Sequence, residues 1–348
     1  MQKIDKVIIH KDYDLISSFA YSNEILCFMA TDQINLPYSE AILPIKVSRV
    51  NHANNSAFIE YNDKQTGYIN LPRWLKAQSG SRLHAQLTWQ GDEVKQAKFR
   101  STWQIAGKYI VYNSKSELKF ANKNLPSELL DKLNSVLSNQ PATWSIRTIA
   151  INNTDYDLIS SEAQEIYSIA EKLNSNKEYT YNGTPNYLKI FRELNLADNI
   201  EVTTNDDTIY NELIKKQDLW LIDIIHYNKN LQSPVSDIVN HNKLIQLENG
   251  STLEIGTFAG INIIDINSGS SNTDKNTTNF LMLDEVYRQI CVQNLQGIIL
   301  VDVIKNSSIL QEDKIINYLQ KLFRHDISQT KILGFSNSGL LEIIRNKF

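Results

Sequence analysis

The chain has 348 residues, 35 of them Lys or Arg and 39 Asp or Glu, for a formal net charge of −4. That length exceeds one ordinary hydrophobic core and predicts two or three domains, while the mild negative charge excludes a global field for nucleic acid and leaves any anionic partner to a local basic patch. Cys27 and Cys291, the two cysteines, sit in apolar settings that suit a reducing, cytoplasmic compartment, no Cys-x-x-Cys offers a structural zinc site, and no apolar window reaches membrane-spanning length.

In chain order, residues 1–36 read as short strands at Lys6–His10 and Glu24–Phe28 separated by polar, turn-like stretches, a hairpin or a sheet edge. Four alternating strands follow, Ile45–Val50, Ser56–Tyr61, Thr66–Leu71 and Arg82–Trp89, and their short length and frequent turns predict a small antiparallel barrel. Phe58 and Tyr68 fall on neighbouring strands, a pattern that fits either stacking platforms for unpaired bases or plain core. Between Ser81 and Leu125 stand eight cations (Arg82, Lys95, Lys98, Arg100, Lys108, Lys115, Lys119, Lys123), interleaved with Trp89, Phe99, Trp103, Tyr109, Tyr112 and Phe120. Cations mixed with aromatics fit a single-stranded RNA surface, and a solvated face is the competing reading.

After Pro126, Leu129, Leu130, Leu133 and Leu137 share one helical face; Trp144–Ala150 reads as a strand, Glu162–Leu173 as a helix, Asn174–Asn186 as a polar linker and Asn199–Thr204 as a strand. The runs Ile261–Gly269 and Ile298–Val303 are the most informative. Each is apolar, of strand length, and delivers one aspartate at or near its end; such runs read as strands buried on both faces. Between them Phe280, Leu283, Val286, Tyr287, Ile290 and Cys291 recur at helical spacing, which predicts a right-handed crossover joining two parallel strands and bringing both ends to one edge. An aspartate in such a place must be neutralised, hydrogen-bonded or metal-bound. Taken singly, Asp265 or Asp302 also fits a turn former or a helix N-cap. As a pair they fit the oxygen ligands of one Mg²⁺, waters and a substrate phosphate completing the shell, with Asn267 on the same side to orient Asp265.

The colinear order of barrel, aromatic-basic stretch, Ile146-Arg147-Thr148, Ile264-Asp265-Ile266-Asn267-Ser268-Gly269, Thr278-Asn279, Val301-Asp302 and Gly339-Leu340-Leu341-Glu342 resembles the ribonuclease E/G family over essentially the whole chain. The resemblance implies an α+β multidomain fold. An RNase H-like subdomain would comprise residues 1–36 and 176–242, with an S1 (OB-type) RNA-binding barrel at 37–103, a 5′-sensor region at 104–175 and a DNase I-like α/β catalytic domain at 243–348. It implies an Mg²⁺-dependent endoribonuclease cutting single-stranded A/U-rich RNA in RNA processing or decay, with sensing of a 5′-monophosphate. Asp265 and Asp302 match the metal-binding residues and Asn267 the residue that orients the first. Phe58, Tyr68 and Lys95 match RNA contacts of the barrel, Tyr68 replacing a phenylalanine; Arg147 and Thr148 match the pair that contacts the 5′ phosphate, and Gly107 and Val111 match the sensor's backbone contacts.

Departures from the family cluster near the chemistry. The loop Ser270–Thr277 is short and holds only Lys275, and an upstream family glutamate is replaced by Phe258 or Ala259. Arg288 is kept in the connecting helix, but Cys291, Gln293 and Lys305 replace charged family residues, and Asn337-Ser338 replaces Arg-Phe. The zinc-link cysteines are missing, so neither zinc nor the family's zinc-linked tetramer is expected, and a homodimer is the assembly the analogy leaves. Two functional readings follow: an endoribonuclease of reduced activity, or an RNA-binding paralogue that kept the scaffold and lost the reaction.

Overall fold

A computed structural model describes the chain apart from residues 1–2, 63, 92–94, 115–124, 138–142, 152–154, 235–243, 271–274, 305–308, 329 and 347–348. Lys115, Lys119, Phe120, Lys123 and Lys305, and residues 271–274 of the Ser270–Thr277 loop, lie outside the described residues. Packing groups the chain into two compact units, Gln33–Leu188, and Met1–Asp32 together with Lys189–Phe348.

Tight turns at positive φ, at Tyr13 and at Asn23-Glu24, fold the N-terminus into a meander of β1 (Ile4–Asp12), β2 (Leu15–Ser22) and β3 (Ile25–Gln33). The expected two-stranded edge is therefore three-stranded, and β2 lies inside the sheet. Ser17 and Ser18 are buried in it, and these small hydroxyl residues broke the apolar alternation that marks a strand.

The barrel is closed, in the order β4 (Ile42–Asn51), β5 (Ser56–Tyr61), β6 (Gln65–Asn70), β8 (Ala97–Arg100), β7 (Arg82–Trp89), and is consistent with an S1-like OB element. Closure depends on β8, which pairs parallel to β6 and antiparallel to β7 and sends Ala97 and Phe99 into the core.

β9 (Gln104–Ala106), β10 (Ile110–Asn113) and β11 (Thr143–Ile146) form a three-stranded sheet, accompanied by α1 (Ser127–Leu137), α2 (Thr148–Ile151) and α3 (Tyr156–Ser175). Trp103, Tyr109, Tyr112 and Trp144 are buried here, Trp103 stacked on Tyr112 at 5.6 Å and Trp144 edge-on to Tyr112 at 5.2 Å. Of the aromatics interleaved with cations, Trp89, Phe99, Trp103, Tyr109 and Tyr112 are thus core rather than an RNA surface. The strand expected over Trp144–Ala150 stops at Ile146, because its partner β10 begins opposite it, at Ile110, and no ladder remains to continue. The presumed linker is also structured: α3 runs to Ser175, Tyr181 exchanges backbone hydrogen bonds with Ile42, and Glu178 pairs with Arg82.

α4 (Asn186–Glu193) leads to β12 (Leu196–Thr204), α5 (Asp207–Lys215, capped by Asp206), α6 (Gln217–Trp220) and β13 (Ile224–Tyr227), completing a five-stranded sheet of order β13-β12-β1-β2-β3. The last block is a six-stranded sheet in the order β14 (Leu244–Gln246), β15 (Thr252–Phe258), β16 (Ile261–Asn267), β17 (Gly297–Asp302), β19 (Leu341–Arg345), β18 (Lys331–Phe335). β16 and β17 are parallel and joined by α7 (Lys275–Val292); α8 (Ile309–Leu322) follows β17. Leu283, Val286 and Ile290 of α7 and Ile315 and Leu319 of α8 pack with Leu253, Ile264, Ile266, Ile299, Val301 and Ile343 of the sheet. Only this face is covered by that core. Ile263 and Ile298 point the other way and are 44% and 46% exposed, so the two runs are not buried on both faces. Among the described residues no helix is long and apolar enough to cross a membrane.

Candidate functional site

Asp265 stands directly beside Asp302 in the parallel β16–β17 ladder. Side chains alternate along a strand, so with Ile264, Ile266 and Val301 in the core both aspartates lie on the open face. Asn267 shares that face, and its Nδ2 donates to Asp265 Oδ2 at 2.7 Å. Among the described residues neither aspartate pairs with a Lys, Arg or His. Two backbone devices hold the site. Gly269 has φ 53° and a Cβ there would strike the Gly250 carbonyl, so only glycine lets the turn after Asn267 close onto the turn before β15. The buried Asn279 brackets Ile304, Nδ2 donating to its carbonyl at 2.9 Å and Oδ1 accepting its N–H at 3.0 Å, which ties α7 to the chain just past Asp302.

Two acidic neighbours were not singled out by sequence reasoning. Glu254 is the cross-strand partner of Asp265 and is therefore on the same face; Glu342 pairs with Leu300, which shares a face with Asp302. Alternation within Thr252–Phe258 places Glu254 outward, but only the ladder register puts it next to Asp265. Phe258 and Ala259, the positions matched to a family glutamate, lie at the opposite end of the β15–β16 hairpin from Asp265. Arg288 points away from this site, bonded to Glu285 and to the Leu26 carbonyl. Among the described residues no group of three or more His, Cys, Asp or Glu converges to hold a metal alone. A cation here would take two carboxylates and fill its shell with water or phosphate, a donor set that fits hard, water-retaining Mg²⁺.

A second constellation surrounds the turn between β9 and β10. Glu162 of α3 reaches under it, Oε1 accepting the N–H of Lys108 at 2.6 Å and Oε2 those of Tyr109 at 2.9 Å and Ile110 at 3.2 Å. A Cβ on Gly107 would overlap that carboxylate, so the residue must be glycine for steric reasons. Burial raises the Glu162 carboxyl against the lowering effect of the three amides, and burial lowers the Lys108 ammonium to about 7 although Glu162 opposes this. The Gly107 N–H is taken by the Ile110 carbonyl at 2.9 Å. Val111 pairs with Ala106 and Ser145, and the Arg147 N–H donates to the Tyr109 carbonyl at 2.8 Å, leaving Thr148 exposed beside it. Gly107, Val111, Arg147 and Thr148 are thus brought together, but the turn's amides are already satisfied within the protein. Glu162 had no signal in the sequence beyond a helical position.

On the barrel, Phe58 pairs with Tyr68, the rings edge-on at 6.1 Å, and Phe58 is 42% exposed, so this pair is outside the core. Arg49 lies opposite Phe58, Lys98 beside Tyr68, and exposed Lys95 in the approach to β8.

The family model described as "Ribonuclease E/G family" matches residues 104–348. The chain is 30% identical over 109 residues to a ribonuclease E of Buchnera aphidicola (30% of this chain, 12% of that protein). It is 28% identical over 109 residues to the ribonuclease G of Salmonella typhimurium, and likewise to the ribonuclease E of Escherichia coli. Those alignments cover 30% of this chain and 22% and 10% of the two proteins respectively.

Proposed function

The chain belongs to the ribonuclease E/G family, and from that premise we propose that it is an Mg²⁺-dependent endoribonuclease acting on single-stranded, A/U-rich RNA. One observation carries the reading: two carboxylates side by side on an open sheet face, without a cationic partner among the described residues, one of them held by a donated hydrogen bond. Leaving two such charges adjacent costs free energy unless a cation joins them. When bound, Mg²⁺ would activate a water and neutralise charge developing on the scissile phosphate. Asp265 and Asp302 hold the cation and Asn267 fixes the plane of the Asp265 carboxylate. The extra acids Glu254 and Glu342 and the scarcity of cations on this face among the described residues favour the metal but weaken the hold on the phosphate, so turnover is slow.

RNA affinity comes from elsewhere in this reading. Phe58 and Tyr68 stack unpaired bases while Lys95, Arg49 and Lys98 meet the backbone. Arg147 and Thr148 engage a 5′-monophosphate through their side chains, Gly107 and Val111 shaping the surface beneath. The reading keeps the regions expected from the sequence, an RNase H-like subdomain (1–36 and 176–242), the barrel (37–103), the sensor region (104–175) and a DNase I-like catalytic domain (243–348).

The test is cleavage of a short 5′-monophosphorylated A/U-rich RNA by wild type and Asp302→Asn, with Mg²⁺ and with EDTA. Loss of a metal ligand should reduce cutting by more than the ~10–100-fold typical of outer-shell changes while RNA binding stays near wild type. If both proteins bind the RNA tightly and neither cuts it, the family scaffold serves as an RNA-binding module instead.

A further inference from the structure

On the helix side of the six-stranded sheet, away from the open face that carries Asp265 and Asp302, lies a cavity of about 900 Å³. Its walls come from the β1–β3 meander, the chain before β12, α7, α8 and the turn after α8. That volume is in the range of small-molecule sites. The floor and sides are apolar, with Ile4, Ile25, Phe28, Leu194, Leu281 and Leu322, and two of these, Ile25 and Leu281, keep 49% and 47% of their surface exposed. Apolar surface held open at a concave site favours an apolar occupant.

The charges at the rim decide the other half of the ligand. Asp284 accepts from the Tyr318 hydroxyl at 2.7 Å, Glu285 is paired with Arg288 at 2.6 Å, and Asp326 is paired with the buried Arg345 at 2.9 Å. Every carboxylate in the lining is therefore already engaged, and so is Arg288. Lys321 and Arg324, exposed at the mouth, have no carboxylate partner among the described residues. Among the described residues Asp284 has only the neutral Tyr318 hydroxyl and so stands against one of these two cations, which leaves the net uncompensated charge at the rim positive.

We propose that this cavity binds a small amphipathic organic anion, its apolar body between the meander and α7 and its carboxylate, sulfonate or phosphate at Lys321 and Arg324. The inference is independent of the nuclease reading, since it uses the opposite side of the sheet and none of the residues assigned to cleavage.

The test titrates the full chain with 1-anilinonaphthalene-8-sulfonate and follows its fluorescence, with dodecanoate and uncharged dodecanol as competitors. One equivalent should bind, dodecanoate should displace it, and dodecanol at the same concentration should not. Lys321→Gln with Arg324→Gln should weaken binding about fivefold, the scale of solvent-exposed ion pairs, and Leu281→Trp, which fills the cavity, should abolish it. Dodecanol competing as well as dodecanoate, or a dye signal indifferent to both variants, would overturn the proposal. Far-UV circular dichroism checks each fold, and if Leu281→Trp fails to fold, the surface double variant and the competitor pair still decide.

Discussion

In the Gly107–Ile110 turn the carboxylate of Glu162 is consumed by the protein's own amides, whereas on the open sheet face Asp265 and Asp302 keep oxygens that no cation among the described residues meets. Both are acids in places where an ion costs free energy, and the difference lies in what answers the charge. Glu162 is answered by three N–H groups and belongs to the fold. Among the described residues Asp265 has one N–H donor, and neither it nor Asp302 has a cationic partner, so their charge is left for something that arrives from solvent. The first arrangement also bears on phosphate sensing, because the amides that could have cradled an anion at this turn are occupied, and any 5′-phosphate contact falls to side chains.

The largest effect comes from breaking the closed site. Glu162→Ala strands three buried amides at once and should destabilise the unit Gln33–Leu188 by about 3 to 5 kcal/mol, read by urea unfolding. Glu162→Gln can keep its carbonyl oxygen on Tyr109 and Ile110 and lose mainly the Lys108 bond, for about 1 to 2 kcal/mol. Equal losses for the two variants would mean that the carboxylate's charge, not its hydrogen bonds, holds the turn.

What could be read from the sequence follows the same division. The pair Asp265–Asp302 was legible because each apolar run delivers an aspartate at or near its end and the intervening period of Phe280–Cys291 is helical, which together dictate parallel strands with adjacent ends. Asn267 was legible from the two-residue strand period. Glu254 was not, since its place beside Asp265 depends on cross-strand register. Glu162 was invisible for a stronger reason: its partner amides lie 52 to 54 residues away, and no local pattern encodes such a contact. The strand β2 was missed through its buried serines, and the end of β11 through the length of its partner, both tertiary facts that propensity does not carry.

A smaller effect tests whether Lys108 opposes the closed site. Its folded pKa of about 7 lies below the ordinary 10.5, so between those values the unfolded chain binds more protons and stability rises with pH. Wild type should gain on the order of 2 kcal/mol between pH 7 and pH 9.5 from this group alone, and Lys108→Met should remove that gain. Parallel stability curves for the two proteins would show that Lys108 stays charged in the fold and is answered by Glu162.

The smallest effect probes the open site through the single hydrogen bond that shapes it. Asn267 contributes no charge; its Nδ2 donates to Oδ2 of Asp265, and in the proposed reading this would leave the other oxygen for the cation. Asn267→Ala should weaken Mg²⁺ binding by ~10–100-fold, measured by calorimetry, without changing the number of carboxylates at the site. Asn267→Asp separates orientation from charge. It removes the donor yet adds a third carboxylate, so Mg²⁺ affinity should hold or rise while RNA turnover falls, because attraction for the cation increases as control of its geometry is lost. Turnover at the wild-type rate in Asn267→Asp would show that the hydrogen bond does not orient the metal, and the contrast with Glu162 would then rest on charge alone.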